Sequence, residues 1–269
     1  MERELREALA AALVLQQGWG ADEALDDEPV SRLAARAEAS SIAVAARERD
    51  VPSVPRQPAP AGPSAEAEAL AAAASDLATL RAAIAGFAGL ALRETATNLV
   101  FADGNPDAPL MLIGEAPGAE EDREGKPFVG ASGRLLDRML LSVGLDRHGT
   151  GDGSFYITNI LNWRPPGNRN PTDSEIALSL PFIRRHVALI RPRLILLLGA
   201  VSVRSLTGAR EGITRLRGRW MTLEVEGMAP MPALATLHPA YLLRNPGAKK
   251  DAWSDLIALR RRMIDMRQH

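Results

Sequence analysis

From residue 95 onward the apolar residues come in short continuous runs, Leu110 to Ile113, Phe155 to Ile160, Leu194 to Leu198 and Ala233 to Leu237, separated by segments of helical spacing. Runs this short, bounded by turn residues, match strands buried on both faces, and their alternation with helices predicts an α/β domain with a parallel sheet. Between the runs, Ser132 is placed to cap a helix carrying Leu135, Leu136, Met139 and Leu140. Thr172 and Glu175 form a capping-box pattern ahead of a helix ending near Ile190. Upstream, Asp76 is a good N-cap for a helix whose Leu77, Leu80, Ile84 and Phe87 recur on one face.

The front of the chain has a different texture. Residues 1–50 are rich in Ala, Glu and Arg, and the spacing of Leu5, Leu13 and Leu15 predicts an amphipathic helix from Glu2 to about Gln17 in this N-terminal extension. The run VPSVPRQPAPAGPS, residues 51–64, holds five prolines, which sustain neither a helix interior nor an inner strand. The expected organisation is therefore an extension over 1–50, a Pro/Ala-rich linker over 51–75 and a catalytic domain over 76–269. The first twenty residues carry no long apolar run, so neither a signal peptide nor a membrane span is expected.

Composition narrows the chemistry. With 46% hydrophobic and 24% charged residues the chain has the make-up of an ordinary globular protein. It has no cysteine, which removes disulfides, thiolate zinc sites, thiol nucleophiles and cysteine-ligated iron–sulfur clusters. The formal net charge of −1 hides an asymmetry: residues 1–87 carry 8 Arg, no Lys and 14 Asp+Glu, whereas residues 88–269 carry 24 Lys+Arg against 19 Asp+Glu. The basic part, almost all arginine, is the candidate for a polyanion partner, although an ordinary basic surface gives the same count.

Three strand ends carry candidate chemistry, and in such folds the loops leaving the carboxyl ends of the strands hold the ligand. The first strand runs into Gly114-Glu115-Ala116-Pro117-Gly118, then Glu121-Asp122 and Gly125-Lys126-Pro127-Phe128-Val129-Gly130. Glycines let the backbone approach a ligand, and a carboxylate directly after a strand sits at the mouth of the sheet; a tight turn with solvated acids is the plain alternative. Neither a dinucleotide fingerprint nor a P-loop occurs here. The second strand ends at Asn159, whose amide offers one acceptor and two donors in a fixed plane, followed by a proline-stiffened loop flanked by Arg164 and Arg169. The last runs into His238-Pro239-Ala240-Tyr241-Leu242-Leu243-Arg244. A donor there stabilises a departing anion, but a single histidine serves structure as readily as catalysis.

Taken together, GEAPG with ED and GKPFVG, then YITN with RPPGNR, then HPAYLLR resemble the family-four branch of the uracil-DNA glycosylase superfamily over roughly residues 85–262. The resemblance implies a three-layer α/β/α fold with a small central parallel sheet and a hydrolase that releases uracil from DNA in base excision repair, leaving an abasic site. It implies that Gly114, Glu115 and Ala116 line the uracil pocket, that Phe128 stacks on the ring, that Asn159 reads its edge and that His238 contacts the carbonyl that gathers charge. Glu115, Asn159 and His238 are then the catalytic set, Arg164, Arg169 and Arg244 the DNA contacts, and the partner is single- or double-stranded uracil-containing DNA, bound by a monomer in a bacterial-type cytoplasm with no membrane association.

The sequence departs from the family in its cluster. Family-four enzymes hold a [4Fe-4S] cluster on four cysteines; here two of those positions are Trp163 and Ser179 and the other two fall near Phe87 and Leu90, so no metal and no cofactor are expected and packing is expected to replace the cluster. Where the best-known branch of the superfamily has a water-activating aspartate this chain has Ala116, which leaves Glu115 as the substitute, and where that branch blocks thymine with a tyrosine it has Gly118. The competing readings are a catalytically silent DNA-binding or replication-associated module with the same fold, a uracil-DNA crosslinking enzyme and a nucleoside glycosidase. Residues 160–171 contain no histidine of the kind crosslinking requires.

Overall fold

The structure, a computed structural model, describes residues 62–266. The expected helix from Glu2 to Gln17 and the remainder of the extension lie outside the described residues.

Six strands form one mixed sheet in the order β1-β3-β2-β4-β6-β5, with β1 Asp103–Gly104, β2 Leu110–Gly114, β3 Tyr156–Asn159, β4 Leu194–Leu198, β5 Trp220–Leu223 and β6 Met231–Thr236. The four inner strands are parallel, as the apolar runs imply, and the two edge strands are antiparallel to their neighbours. The expected central parallel sheet is present, and a short antiparallel strand is added at each edge. The two-residue β1 is too short to show periodicity, and β5 leaves Trp220 38% exposed, so neither reads as a buried strand.

Alternation along the inner strands sorts the side chains into two cores. Met111, Ile113, Ile195 and Leu197 face one layer, and Leu110, Leu112, Leu194 and Leu196 the other. The first layer contains α1 Pro63–Ala73, α2 Leu77–Gly86, α6 Asp173–Ile190 and α7 Ala200–Thr207; the second contains α5 Ala131–Leu141 and α10 Lys249–Asp265. Short helices α3 Leu92–Thr95, α4 Ala119–Glu124, α8 Ile213–Leu216 and α9 Pro239–Arg244 fill the connections.

Several expected boundaries move. The stretch expected to run as linker to residue 75 becomes helix at Pro63, because proline is well suited to the first turn; Ala67 and Ala71 then bury, and Arg185 on α6 donates to the Ala74 carbonyl at 2.8 Å. Asp76 caps α2 with Thr79 as expected, and Thr172 with Glu175 caps α6. Ser132 does not cap α5; Gly130 does, with its N–H taken by a distant carboxylate.

After β2 the chain crosses to β3 on one side and then to β4 on the other. That reversal opens a crevice beyond the carboxyl ends of β2, β3 and β4, where open α/β sheets place their ligands.

Candidate active site

Register brings the first two segments together. Gly114 pairs with Asn159 at the ends of β2 and β3, and the ladder continues as Ile160 N–H donates to Gly114 O and Leu161 N–H to Glu115 O, both at 3.0 Å. A Cβ on Gly114 would overlap Asn159 Oδ1 and the tip of the Phe128 ring, so glycine is what lets an amide and an aromatic ring close over this strand end. His238 follows β6 and caps α9, its Nδ1 accepting the Ala240 N–H at 3.2 Å. Its ring lies 5.8 Å from that of Phe128, centroid to centroid.

These groups line a cavity of about 370 Å³, the size of a small-molecule site. Among the expected site residues, Glu115, Ala116, Phe128, Asn159, His238, Arg169 and Arg244 line it. Gly114 is not among the lining residues; it sits directly before Glu115 at the end of β2, where the lack of a side chain leaves room for Asn159 and Phe128. Arg164 stands behind the rim: its Nε donates to Asn168 Oδ1 at 2.7 Å and it lies 4.0 Å from Asp122. Arg169 is engaged in a two-pronged ion pair with Glu175, at 2.8 and 2.6 Å, which ties the proline loop to the start of α6. Arg244 is exposed on α9.

The electrostatics separate the three polar groups. Asn159 is 2% exposed and its Oδ1 has no hydrogen-bond partner among the described residues. A buried acceptor left unpaired is costly, and a ligand N–H is one group that would satisfy it. Burial raises the pKa of Glu115 above the usual carboxylate range, with the nearby Arg204 opposing. Burial, helped by Arg244, drops the pKa of His238 to about 4, so its imidazole is neutral near pH 7. With Nδ1 accepting from Ala240, the ring proton sits on Nε2, which makes His238 a neutral donor.

One further buried imidazole shares that direction. His186 bonds the Tyr156 hydroxyl at 2.9 Å, stacks on Phe101, and burial lowers its pKa to about 3. Both histidines stay neutral in the folded chain at pH values where an unfolded one, near 6.5, protonates. Their contribution to stability is complete above pH 6.5 and is lost as pH falls toward 4, with a slope approaching two protons, about 2.7 kcal/mol per pH unit. Urea unfolding at a series of pH values checks this; His186→Phe should remove about half of the slope, and an unchanged slope would assign it to other groups.

Sequence reasoning placed Glu121, an acid in the third position of the short helix α4, in the first strand-end loop without giving it a role. It is 8% exposed and accepts from Gly118 N–H at 3.1 Å, Val129 N–H at 3.0 Å and Gly130 N–H at 2.8 Å, locking the GEAPG turn to the FVG turn. It also lines the cavity, and a Cβ on Gly118 would lie 2.8 Å from its Oε2, so its carboxylate fills the space a larger residue 118 would use. Its neighbour Asp122 accepts from Thr97 N–H and Asn98 N–H at 2.8 and 3.0 Å, anchoring the segment before β1.

The positions expected to correspond to the family's cluster cysteines also converge. Phe87, Leu90, Trp163 and Ser179, joined by Phe182, line a single void of about 10 Å³, room for little more than one water. The Phe87 and Phe182 rings are 5.3 Å apart. These side chains have no soft donors and do not fit an iron–sulfur cluster.

A three-layer α/β domain with an unpaired amide, a neutral imidazole and a carboxylate around one crevice is built to hold a small polar ring and act on it. The profile described as Uracil DNA glycosylase superfamily matches residues 101–257, more than half of the chain, and the chain belongs to that superfamily. It is 36% identical over 181 residues to the Type-4 uracil-DNA glycosylase of Sulfurisphaera tokodaii, covering 64% of this chain and 78% of that protein. It is 39% identical over 158 residues to the Type-4 enzyme of Saccharolobus solfataricus (57% and 70% covered) and 38% over 168 residues to that of Archaeoglobus fulgidus (61% and 81%). Among the described residues no helix is long and apolar enough to cross a membrane.

Proposed function

We propose that the protein is a uracil-DNA glycosylase that works without an iron–sulfur cluster, hydrolysing the N-glycosidic bond of uracil in DNA to leave an abasic site. The observation that carries this reading is the buried, unpaired Oδ1 of Asn159, a residue that lines a cavity large enough to admit a nucleobase. Uracil N3–H donates to that oxygen while its O4 accepts from the amide nitrogen; cytosine offers the reverse pattern and leaves buried polar groups unpaired.

Bond cleavage builds positive charge on the sugar and negative charge on the base. Phe128 packs on the flipped ring, the neutral Nε2–H of His238 donates to O2 as that oxygen becomes anionic, and the Glu115 carboxylate stabilises the sugar cation and orients the attacking water. A raised pKa makes Glu115 a better proton acceptor than an exposed carboxylate. Glu121 takes the place of bulk at Gly118 and narrows the pocket on that side.

DNA lies across the rim carrying Arg244 and the Arg164–Arg169 loop, on single or double strands, with the protein acting as a monomer in the cytoplasm beside the nucleoid. Tyr241 and Leu243, 37% and 42% exposed on α9, add apolar surface beside Arg244 for the neighbouring bases. Replacing Arg244 by alanine should lower the salt slope of DNA affinity by about one. Arg164→Ala and Arg169→Ala, whose charges already face Asp122 and Glu175, should change the slope less and loosen the loop. Affinity measured across a salt series checks this, and equal slopes for all three variants and the parent would remove these arginines from the interface.

The test of function compares one uracil-containing oligonucleotide with free deoxyuridine. Uracil release from the oligonucleotide alone supports the reading. Release from both indicates a nucleoside glycosidase, DNA binding without release a silent module, and a covalent adduct a crosslinking enzyme.

A further inference from the structure

Outside the pocket lies a buried cation that the uracil reading does not use. Arg147 follows α5, and its side chain is 6% exposed. Every N–H of its guanidinium is engaged. Nη1 donates to Pro127 O at 2.8 Å and to Asp103 Oδ2 at 3.1 Å; Nη2 donates to Phe128 O at 2.9 Å and to Asp137 Oδ1 at 2.9 Å; Nε donates to Asp137 Oδ1 at 3.2 Å. A lysine ammonium, a point charge with no fork, cannot reproduce that pattern.

Two of those acceptors are consecutive carbonyls of the segment that carries the aromatic wall of the pocket. Phe128 itself has φ +54°, a left-handed conformation that costs a bulky L-residue energy and persists only when its surroundings impose it. The surroundings are visible on both sides. The carbonyls of residues 127 and 128 are held by Arg147, and the N–H groups of residues 129 and 130 by Glu121. A third constraint comes from α5, where a Cβ on Gly133 would overlap the Phe128 carbonyl. Glu121 touches the cavity; Arg147 does not line it and acts through the backbone.

We propose that Arg147 is a positioning residue for the base: by binding the Pro127 and Phe128 carbonyls it holds the Phe128 ring as the wall on which uracil packs, and so sets the affinity of the pocket for uracil. This rests on the glycosylase reading of the same cavity. Loss of the fork frees the 127–130 segment to relax from its left-handed turn, and the ring leaves the wall.

The experiment uses the full chain, an oligonucleotide with one uracil, and free uracil as a competing inhibitor. Arg147→Met should weaken inhibition by free uracil and lower single-turnover release by about tenfold to a hundredfold, the range for removing one base-stacking partner. Phe128→Leu should do the same, and the double variant should be no worse than Phe128→Leu alone, because both changes delete one contact. Arg147→Lys should not restore uracil inhibition. If Arg147→Met does not fold, Gly133→Ala displaces the same carbonyl with the arginine in place and should weaken uracil inhibition likewise. Additive losses in the double variant, or parental uracil inhibition in folded Arg147→Met or Gly133→Ala, would overturn the positioning role while leaving the glycosylase reading intact. No uracil release by the unaltered protein would instead remove that reading, and the proposal with it.

Discussion

Replacing His238 by alanine should lower single-turnover uracil release by about 10²–10³ while leaving affinity for uracil-containing DNA nearly unchanged, the loss expected from deleting one donor to a developing oxyanion. The argument rests on protonation. With its pKa near 4 the imidazole carries no charge at neutral pH, and with Nδ1 occupied by Ala240 its only proton points from Nε2. A neutral donor gains little with the neutral base in the ground state and much with the departing anion, so the deficit falls on the chemical step. His238→Gln, which keeps a donor, should recover part of the rate. A His238→Ala variant that loses affinity in step with rate would place the residue in ground-state binding.

Asn159→Asp should fail in another way. The side chain is 2% exposed, and in the proposed reading its amide pairs with uracil's N3–H and O4. The aspartate either presents two acceptors or, when its buried carboxyl is protonated, one proton of uncertain position; uracil O4 then faces an oxygen. Uracil release should fall by about 10²–10³, the loss that follows when a site built around a polar match is mismatched. Cytosine, whose N4–H₂ donates to that oxygen, should be discriminated against less. The quantity to measure is the ratio of uracil to cytosine release under enzyme excess. A ratio altered by His238→Ala and untouched by Asn159→Asp would exchange the two assignments.

Much of this was legible in the chain because burial leaves a pattern. β2 and β4 lie under helices on both faces, so LMLI and LILLL are continuous apolar runs, and the Thr172–Glu175 cap is wholly local. The positions of Glu115, Asn159 and His238 followed from their places at strand ends. What was not legible depends on contacts between distant residues. The start of α5 is fixed by the Glu121 carboxylate nine residues before Gly130, and no local spacing announces that. Arg147 looks like one more surface arginine until Asp103 and the Pro127 carbonyl are brought to it. Arg169 was expected to meet phosphate because nothing in the order of residues shows its fork closed on Glu175. Helix α1 was hidden by Pro63, which reads as the end of a proline-rich stretch and serves as a helix start.

The absence of cysteine is the sharpest difference from what the family resemblance implies, and we propose that packing takes the cluster's place. Phe87, Leu90, Trp163, Ser179 and Phe182 close over a void of about 10 Å³ and join the α2–α3 segment to the loop after β3 and to α6. Interdigitated apolar side chains hold such a junction by burial alone. The junction and the pocket are lined by different side chains, so the pocket's chemistry does not pass through it.

The central claim, glycosylase activity from an intact pocket without a cluster, is tested most directly by measuring iron content and single-turnover uracil release on the same anaerobically purified sample. The expected result is iron far below one atom per chain with uracil released and alkali-labile abasic sites formed. Stoichiometric iron with an absorbing cluster, or no release from folded iron-free protein, would contradict it.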